Sequence, residues 1–390
     1  MTYTGTRSVL DADSHLMETA DWLASYTAPE FRADVPPLPY QDDPDFASRL
    51  ATVEPNLQLR NSDRRARTAA DGAIMSMATK GIEAVGATDA RERSHALDVL
   101  GFGAQLVFPT FSFVQVMMAE TPELRLETML AMNRGLAEFC ADDSRLLATA
   151  HIPFDLGPAV ALRVLREAID AGAVAPTVDM VPRRGAHSMT HPEFDVVWAA
   201  IVDADMPAMV HVGLDNGLRP VRREYFDNGR TLAHFRSDAP GDALSYMAIG
   251  YPAELFLAAM VFDGILHRFP TLRLGVTELG ASWVPSFLQT LDQAHRAFRR
   301  LQDLSHLTGP PSDVIRRHAR FTPFAGEDVG WLHETEDADL FMFSSDYPHH
   351  EGSDDPIGRF ERTMTGVSDE RQARFYSDTF GELMGSHLVR

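Results

Sequence analysis

Cysteine occurs once in the 390 residues, at Cys140. That excludes an intramolecular disulfide framework and any zinc site built from cysteine clusters. Lysine also occurs once, at Lys80, so arginine carries nearly all of the positive charge. A Schiff-base lysine, a phosphate-loop lysine or a carboxylated lysine bridging two metals would each have to be Lys80, which lies in a stretch expected at the surface. Basic charge is scarce overall, with 35 Lys and Arg against 56 Asp and Glu and a formal net charge of −21. Such a balance argues against nucleic acid, whose phosphates need basic patches. It leaves room for a small anion held by a local arginine group. No apolar run near the ~20 residues that span a bilayer stands out, and the N-terminus lacks the apolar segment of a secretory signal. A cytoplasmic protein without membrane partners is the resulting expectation.

What is present is an alternation of short apolar strands with helices. Strands are expected at 8–15, 104–110, 146–153, 175–182, 207–213, 272–280, 320–324 and 340–346. Helices are expected at 122–142, 158–171, 192–205, 252–267, 284–304 and 369–384. Eight strands alternating with helices predict an α/β fold, a (β/α)8 TIM barrel, whose chemistry gathers at the C-terminal strand ends. An open doubly wound sheet is the alternative, weakened because no G-x-G-x-x-G follows the first strand. The whole chain, 1–390, is expected to be one domain. Two long insertions interrupt it, after strand 1 at about 22–96, including a helix near 60–78, and after strand 5 at about 214–250. The first is too long for an ordinary loop.

Several strands end in a histidine or an acid. Phe341-Met-Phe-Ser-Ser-Asp346-Tyr-Pro-His349-His350 is an apolar run that stops at Asp346. The first strand carries Asp11, Asp13 and His15, two apart and so on one face of an extended chain. His211 ends the fifth strand before Gly213, and Glu278 ends the sixth. In a barrel these ends meet at one mouth, so Asp13, His15, His211, Glu278 and Asp346 are expected around one divalent cation. Imidazole and carboxylate ligands suit Zn, Mn, Fe, Co or Ni. His349, His350 and His151 are candidates for orienting a ligand or lining the pocket, although a satisfied core histidine also explains His151. Arg219, Arg222, Arg223 and His234, in the second insertion, are candidates for contacting the substrate. Glu18 reads as a charge at a helix N-terminus.

The D-x-D-S-H-x-x-E start, the M-V-H-V-G strand, T-E-L-G-A-S-W-V-P-S-F-L and F-S-S-D-Y-P-H-H-E-G together resemble the amidohydrolase-2 family. That is the branch with aminocarboxymuconate-semialdehyde decarboxylase and γ-resorcylate decarboxylase. The resemblance implies a barrel with one divalent metal, Zn or Mn, and a dimer. It aligns Asp13 and His15 with the first-strand ligand pair, His211 with the strand-five histidine and Asp346 with the strand-eight aspartate. Two departures stand out. Asp13 replaces the His or Glu of the usual first-strand pair, and the histidine that decarboxylases carry after strand five has no clear counterpart, Glu278 closing strand six instead. The resemblance implies a non-oxidative decarboxylase of a small hydroxylated aromatic or unsaturated carboxylic acid, with Asp346 and His211 in catalysis. A hydrolase or hydratase using the same site is the second expectation, and a binding protein the third.

Overall fold

The computed structural model describes residues 2–214, 243–336, 338–350 and 352–388. Seven parallel strands form one sheet in sequence order: β1 (Leu10–Leu16), β2 (Ala104–Pro109), β3 (Leu146–His151), β4 (Ala175–Thr177), β5 (Pro207–His211), β6 (Arg273–Thr277) and β7 (Ala319–Phe321). Each corresponds to an expected strand. The expected eighth differs. Residues 341–347 form isolated parallel bridges, Phe321 with Phe341 on one side and Ser14 with Tyr347 on the other. Met342 N donates to Phe321 O, Ala12 N to Phe343 O, and His15 N to Tyr347 O. The segment therefore joins β7 to β1 and curls the sheet round on itself.

Its irregularity has a cause. Asp11 accepts from Ser345 N at 2.8 Å and Ser345 Oγ at 2.6 Å, so a side chain replaces a ladder bond. Asp346 turns the chain at φ 52°. Asp11 also takes Gln105 Nε2 at 2.8 Å. Buried with these partners, its carboxyl is pushed up by desolvation to about 6.

Inside the curl, apolar side chains from alternate positions pack together: Ala12, Leu106, Phe108, Leu147, Met209 and Met342. Phe380, Leu383 and Met384, near the C-terminus, join them. An apolar plug thus fills the lower interior, and the polar side chains collect at the opposite, C-terminal strand ends. The larger core lies between sheet and helices, where Trp198, Phe194 and Phe321 are fully buried.

The helices follow their local signals with corrections. Thr121 caps Pro122–Cys140 through its side chain, with Pro122 in the first turn. The helix expected at 60–78 is two helices, Val53–Ser62 and Arg64–Met75, divided where Asp63 caps the second. The one expected at 252–267 breaks at Gly264, which takes φ 78°. The long helix from Val284 ends at Phe298. The C-terminal helix carries a wide π turn at Arg374–Asp378. A helix at Phe111–Met118 was not foreseen. One stretch, Ala243–Phe262, is long and apolar enough to cross a membrane by length and composition, against the expectation of none. It folds as two helices, and Phe256, Leu257 and Met260 of the second lie in the core.

Candidate metal centre

Five strand-end side chains converge as the pattern of polar termini implies. His15 Nε2 lies 3.3 Å from Asp13 Oδ1, 3.5 Å from Glu278 Oε2 and 3.5 Å from Asp346 Oδ1. His211 Nε2 lies 3.4 Å from Asp13 Oδ1 and 3.0 Å from Glu278 Oε2. Donor atoms of Asp13, His15, His211 and Glu278 fall within 4.8 Å of one another, as do those of His15, Glu278, Asp346 and His349.

The backbone that aims them is unusual at two points. Glu278 and Asp346 both adopt φ 52°, the left-handed region that non-glycine residues avoid. Each such residue costs about 1–3 kcal/mol and persists where its surroundings hold it. Glu278 N donates to the Thr322 hydroxyl at 3.1 Å, and Asp346 N to Asp13 O at 3.0 Å. Gly213, at φ 83°, supplies the turn beyond β5.

Supporting contacts fix the imidazoles. His211 Nδ1 pairs with Val212 O at 2.9 Å, which directs Nε2 at the cluster. His349 stacks on His15 at 3.6 Å between ring centroids, meets Thr110 Oγ1 at 3.0 Å and lies 3.1 Å from Asp346 Oδ1. Phe108 packs under both rings, 4.5 Å from His211 and 5.8 Å from His15. Arg93 is fully buried, donates Nε to Gly86 O at 2.7 Å and Nη2 to His15 O, and lies over the Tyr347 ring at 5.3 Å.

Electrostatics at the cluster show a demand for positive charge. Burial alone would lower His15, yet Asp13 and Glu278 hold it up at about 9. Burial likewise opposes charge on His211, and the same two carboxylates raise it well above the usual histidine range. Glu278 and Asp13 are pulled below the ordinary carboxylate range by the imidazoles, against the effect of burial. Asp346 is raised, first by burial and then by Glu278. Asp13 Oδ1 and Oδ2, His15 Nε2, His211 Nε2, Glu278 Oε2 and Asp346 Oδ1 are buried without hydrogen-bond partners. Buried polar atoms are rarely left so. A divalent cation among mixed nitrogen and oxygen donors satisfies all of them at once, so the residues fit such an ion.

The other candidates divide. Asp11 turns away from the cluster towards Ser345 and Gln105, so two of the three first-strand residues reach it. His350 faces Arg49, 3.4 Å away, and Gly81 rather than the cluster. His151 sits at the end of β3, bonded to Thr177 Oγ1 at 3.2 Å and 3.7 Å from Asp179. Arg219, Arg222, Arg223 and His234 lie outside the described residues. Glu18 caps a helix, as its sequence position suggested, but the helix is Phe111–Met118. It accepts from Thr110 N, Phe111 N and Ser112 Oγ. Lys80 was expected at the surface, yet its Nζ is buried 5.6 Å from the Tyr347 ring centroid. Thr322, Ser345, Phe108 and Arg93 carried no sequence signal, being ordinary residues whose roles depend on distant partners.

The sequence model of the amidohydrolase family matches residues 11–379. Among solved structures, the chain is similar to an amidohydrolase from Mycobacterium avium subsp. paratuberculosis, with 18% identity, 97% of this chain and 100% of that chain covered, and a TM-score of 0.72. It is also similar to a 5-carboxyvanillate decarboxylase from Novosphingobium aromaticivorans complexed with manganese and 4-hydroxy-3-methoxy-5-nitrobenzoic acid (17% identity, 97% of each chain, TM-score 0.60). A third is a dihydroxybenzoic acid decarboxylase from a Polaromonas species with bound manganese and the inhibitor 2-nitroresorcinol (16% identity, 99% and 100%, TM-score 0.61). At these identities the likeness shows a shared fold. Among curated proteins, none matches the chain.

Proposed function

The chain belongs to the amidohydrolase family, a family of metal-dependent lyases and hydrolases, and from that premise we propose that it is a non-oxidative decarboxylase of a small hydroxylated aromatic or unsaturated carboxylic acid. The observation that carries this reading is the convergence of Asp13, His15, His211, Glu278 and Asp346, with their buried and unpartnered donor atoms, at one strand-end mouth. The fold is read as a (β/α)8 barrel of one domain, residues 341–347 standing for its eighth strand.

Asp13, His15, His211, Glu278 and Asp346 would hold one divalent ion, with manganese favoured over zinc by the two manganese-bound neighbours. Such an ion would supply Lewis-acid charge to a substrate carboxylate and its neighbouring oxygen. Asp346 is the proton donor. The bond between the ring carbon and the carboxylate breaks, CO2 leaves, and the electron pair stays on carbon, which takes the Asp346 proton. Solvent then restores that proton. His349, stacked on His15 and 3.1 Å from Asp346, holds the donor in place. His211 and His15 fix the centre against Glu278 and Asp13.

Assaying dihydroxybenzoates for CO2 release, with and without a chelator, tests the reading. Release is expected from the metal-loaded protein and not from the chelated one; full activity without metal would sink it. Glu278 supports a second reading, hydrolysis or hydration, in which Asp346 takes a proton from attacking water. Its carboxylate sits 3.0 Å from His211 and adds negative charge where a substrate carboxylate would otherwise approach. Product analysis separates the two, since one loses CO2 and the other gains water.

A further inference from the structure

The connection that follows β4 carries a second group of metal-binding side chains, none of them shared with the buried cluster. His187 Nδ1 lies 2.5 Å from Glu193 Oε1, and His191 Nδ1 lies 3.6 Å from the same oxygen. The two imidazoles stand 4.5 Å apart between ring centroids. One donor atom from each of the three residues falls within 4.8 Å of the others. Ligands held at about 2.0–2.2 Å around a tetrahedral zinc ion lie about 3.3–3.6 Å from one another. His191 and Glu193 already have that spacing. The His187 side chain is 60% exposed and has room to draw back the roughly 1 Å that would match it.

The backbone between the two histidines is pinned to the body of the protein. Trp198 Nε1 donates to Met189 O at 2.9 Å, Arg268 Nη2 donates to Thr190 O at 3.3 Å, and Thr190 Oγ1 donates to Asp263 Oδ2 at 2.6 Å. Met189 and Thr190 are themselves buried. His187 and His191 emerge on either side of this anchored bridge, and buried Phe194 fixes the chain next to Glu193. Ligands ordered before an ion arrives lose less entropy in binding it. A hydrogen-bonded His–Glu pair accounts for His187 alone. His191 Nδ1 receives only Glu193 N at 3.4 Å, long for a hydrogen bond, so the second imidazole is not explained by that pair.

We infer that His187, His191 and Glu193 form a second metal site, which takes one exchangeable zinc ion. Two imidazoles and one carboxylate suit zinc, and manganese binds such a set more weakly. The buried cluster offers Asp13, Glu278 and Asp346 against His15 and His211, and is richer in the oxygen donors that suit manganese. Among the described residues no fourth protein donor joins the outer group, so water completes its coordination. His187 and His191 are exposed, and an ion held there equilibrates with solution faster than one enclosed at the cluster. This site is independent of the reaction proposed above.

The test is a zinc titration of the manganese-supplied protein against a chromophoric chelator, with manganese content followed by elemental analysis. The wild type should take up one zinc ion per chain while its manganese content stays constant. Adding excess chelator should withdraw that zinc at once. The double variant His187→Ala/His191→Ala changes two exposed side chains and should bind zinc at least about tenfold more weakly. Glu193→Gln keeps the shape of the carboxylate and should weaken zinc by about tenfold with both histidines in place. His267→Ala removes an exposed histidine that belongs to no such group and should bind as the wild type does. Equal zinc uptake and affinity in the wild type and the double variant overturn the inference. So does zinc uptake matched one for one by manganese release, which would place the zinc at the buried cluster instead.

Discussion

Replacing Glu278 by glutamine keeps the shape of the side chain and removes its charge. Glu278 Oε2 stands 3.0 Å from His211 Nε2 and 3.5 Å from His15 Nε2, with no hydrogen bond of its own. Donor atoms of the group lie within 4.8 Å of one another, so a cation among them stays close to all of them. Two unit charges about 4 Å apart attract by about 4 kcal/mol at an effective dielectric constant near 20, and a divalent ion doubles that. Two effects offset the loss. The glutamine carbonyl remains an oxygen donor, and the empty variant no longer carries the desolvation cost of a buried carboxylate, several kcal/mol. A net loss of about 3–4 kcal/mol follows, two to three powers of ten in divalent-ion affinity. Competition against a chromophoric chelator measures it, with Glu18→Gln as a control, because Glu18 is also fully buried yet caps a helix outside the cluster. If Glu278→Gln binds manganese within threefold of the wild type while Glu18→Gln is unchanged, Glu278 is no ligand and the five-residue centre is wrong.

Stability offers two further checks. Burial holds the His151 imidazole down at about 4. Above pH ~6.5 the ring is neutral in the folded and unfolded chains; as pH falls towards 4 only the unfolded chain takes up the proton, so up to about 3 kcal/mol of stability is lost in that window. Urea unfolding at pH 7 and pH 4.5 should show a smaller difference for His151→Gln than for the wild type, and an equal difference would contradict the assignment. Phe343 is fully buried among Phe102, Phe360 and Tyr376. Phe343→Ala should cost about 3–5 kcal/mol. For a chain of this length that corresponds to about 4–6 °C in Tm by calorimetry, and a shift under about 1 °C would mean the site collapses without a cavity.

Residue type and position made the candidate cluster legible. Asp13, His15, His211, Glu278 and Asp346 each end an apolar run, and a charged side chain there has no packing role. The seven strands were visible because parallel strands buried on both faces read as continuous apolar stretches. What stayed hidden depended on partners far away in the chain. Neither His349 nor His350 is distinguished by its neighbours in sequence, yet one stacks on His15 and the other turns to Gly81, where a Cβ would lie 2.7 Å from its ring. Asp11 carries the same spacing signal as Asp13 but is taken by Ser345, 334 residues on. The helix Phe111–Met118 is apolar nearly all round, and its N-terminus is completed by a carboxylate from the first strand's exit. Asp63 divided an expected helix because a good capping residue outweighs continuous periodicity.

Arg93 ties the stretch between the first two strands to the reactive centre. Its guanidinium comes from the last helix of that stretch, Ala90–Leu100, and grips the carbonyl of His15 itself. Anyone trimming this enzyme to a smaller catalyst would be tempted to excise residues between β1 and β2 as decoration. Cutting far enough to lose Arg93 would release the peptide that presents the imidazole, so a shortened variant would forfeit turnover even where its remaining strands still assembled.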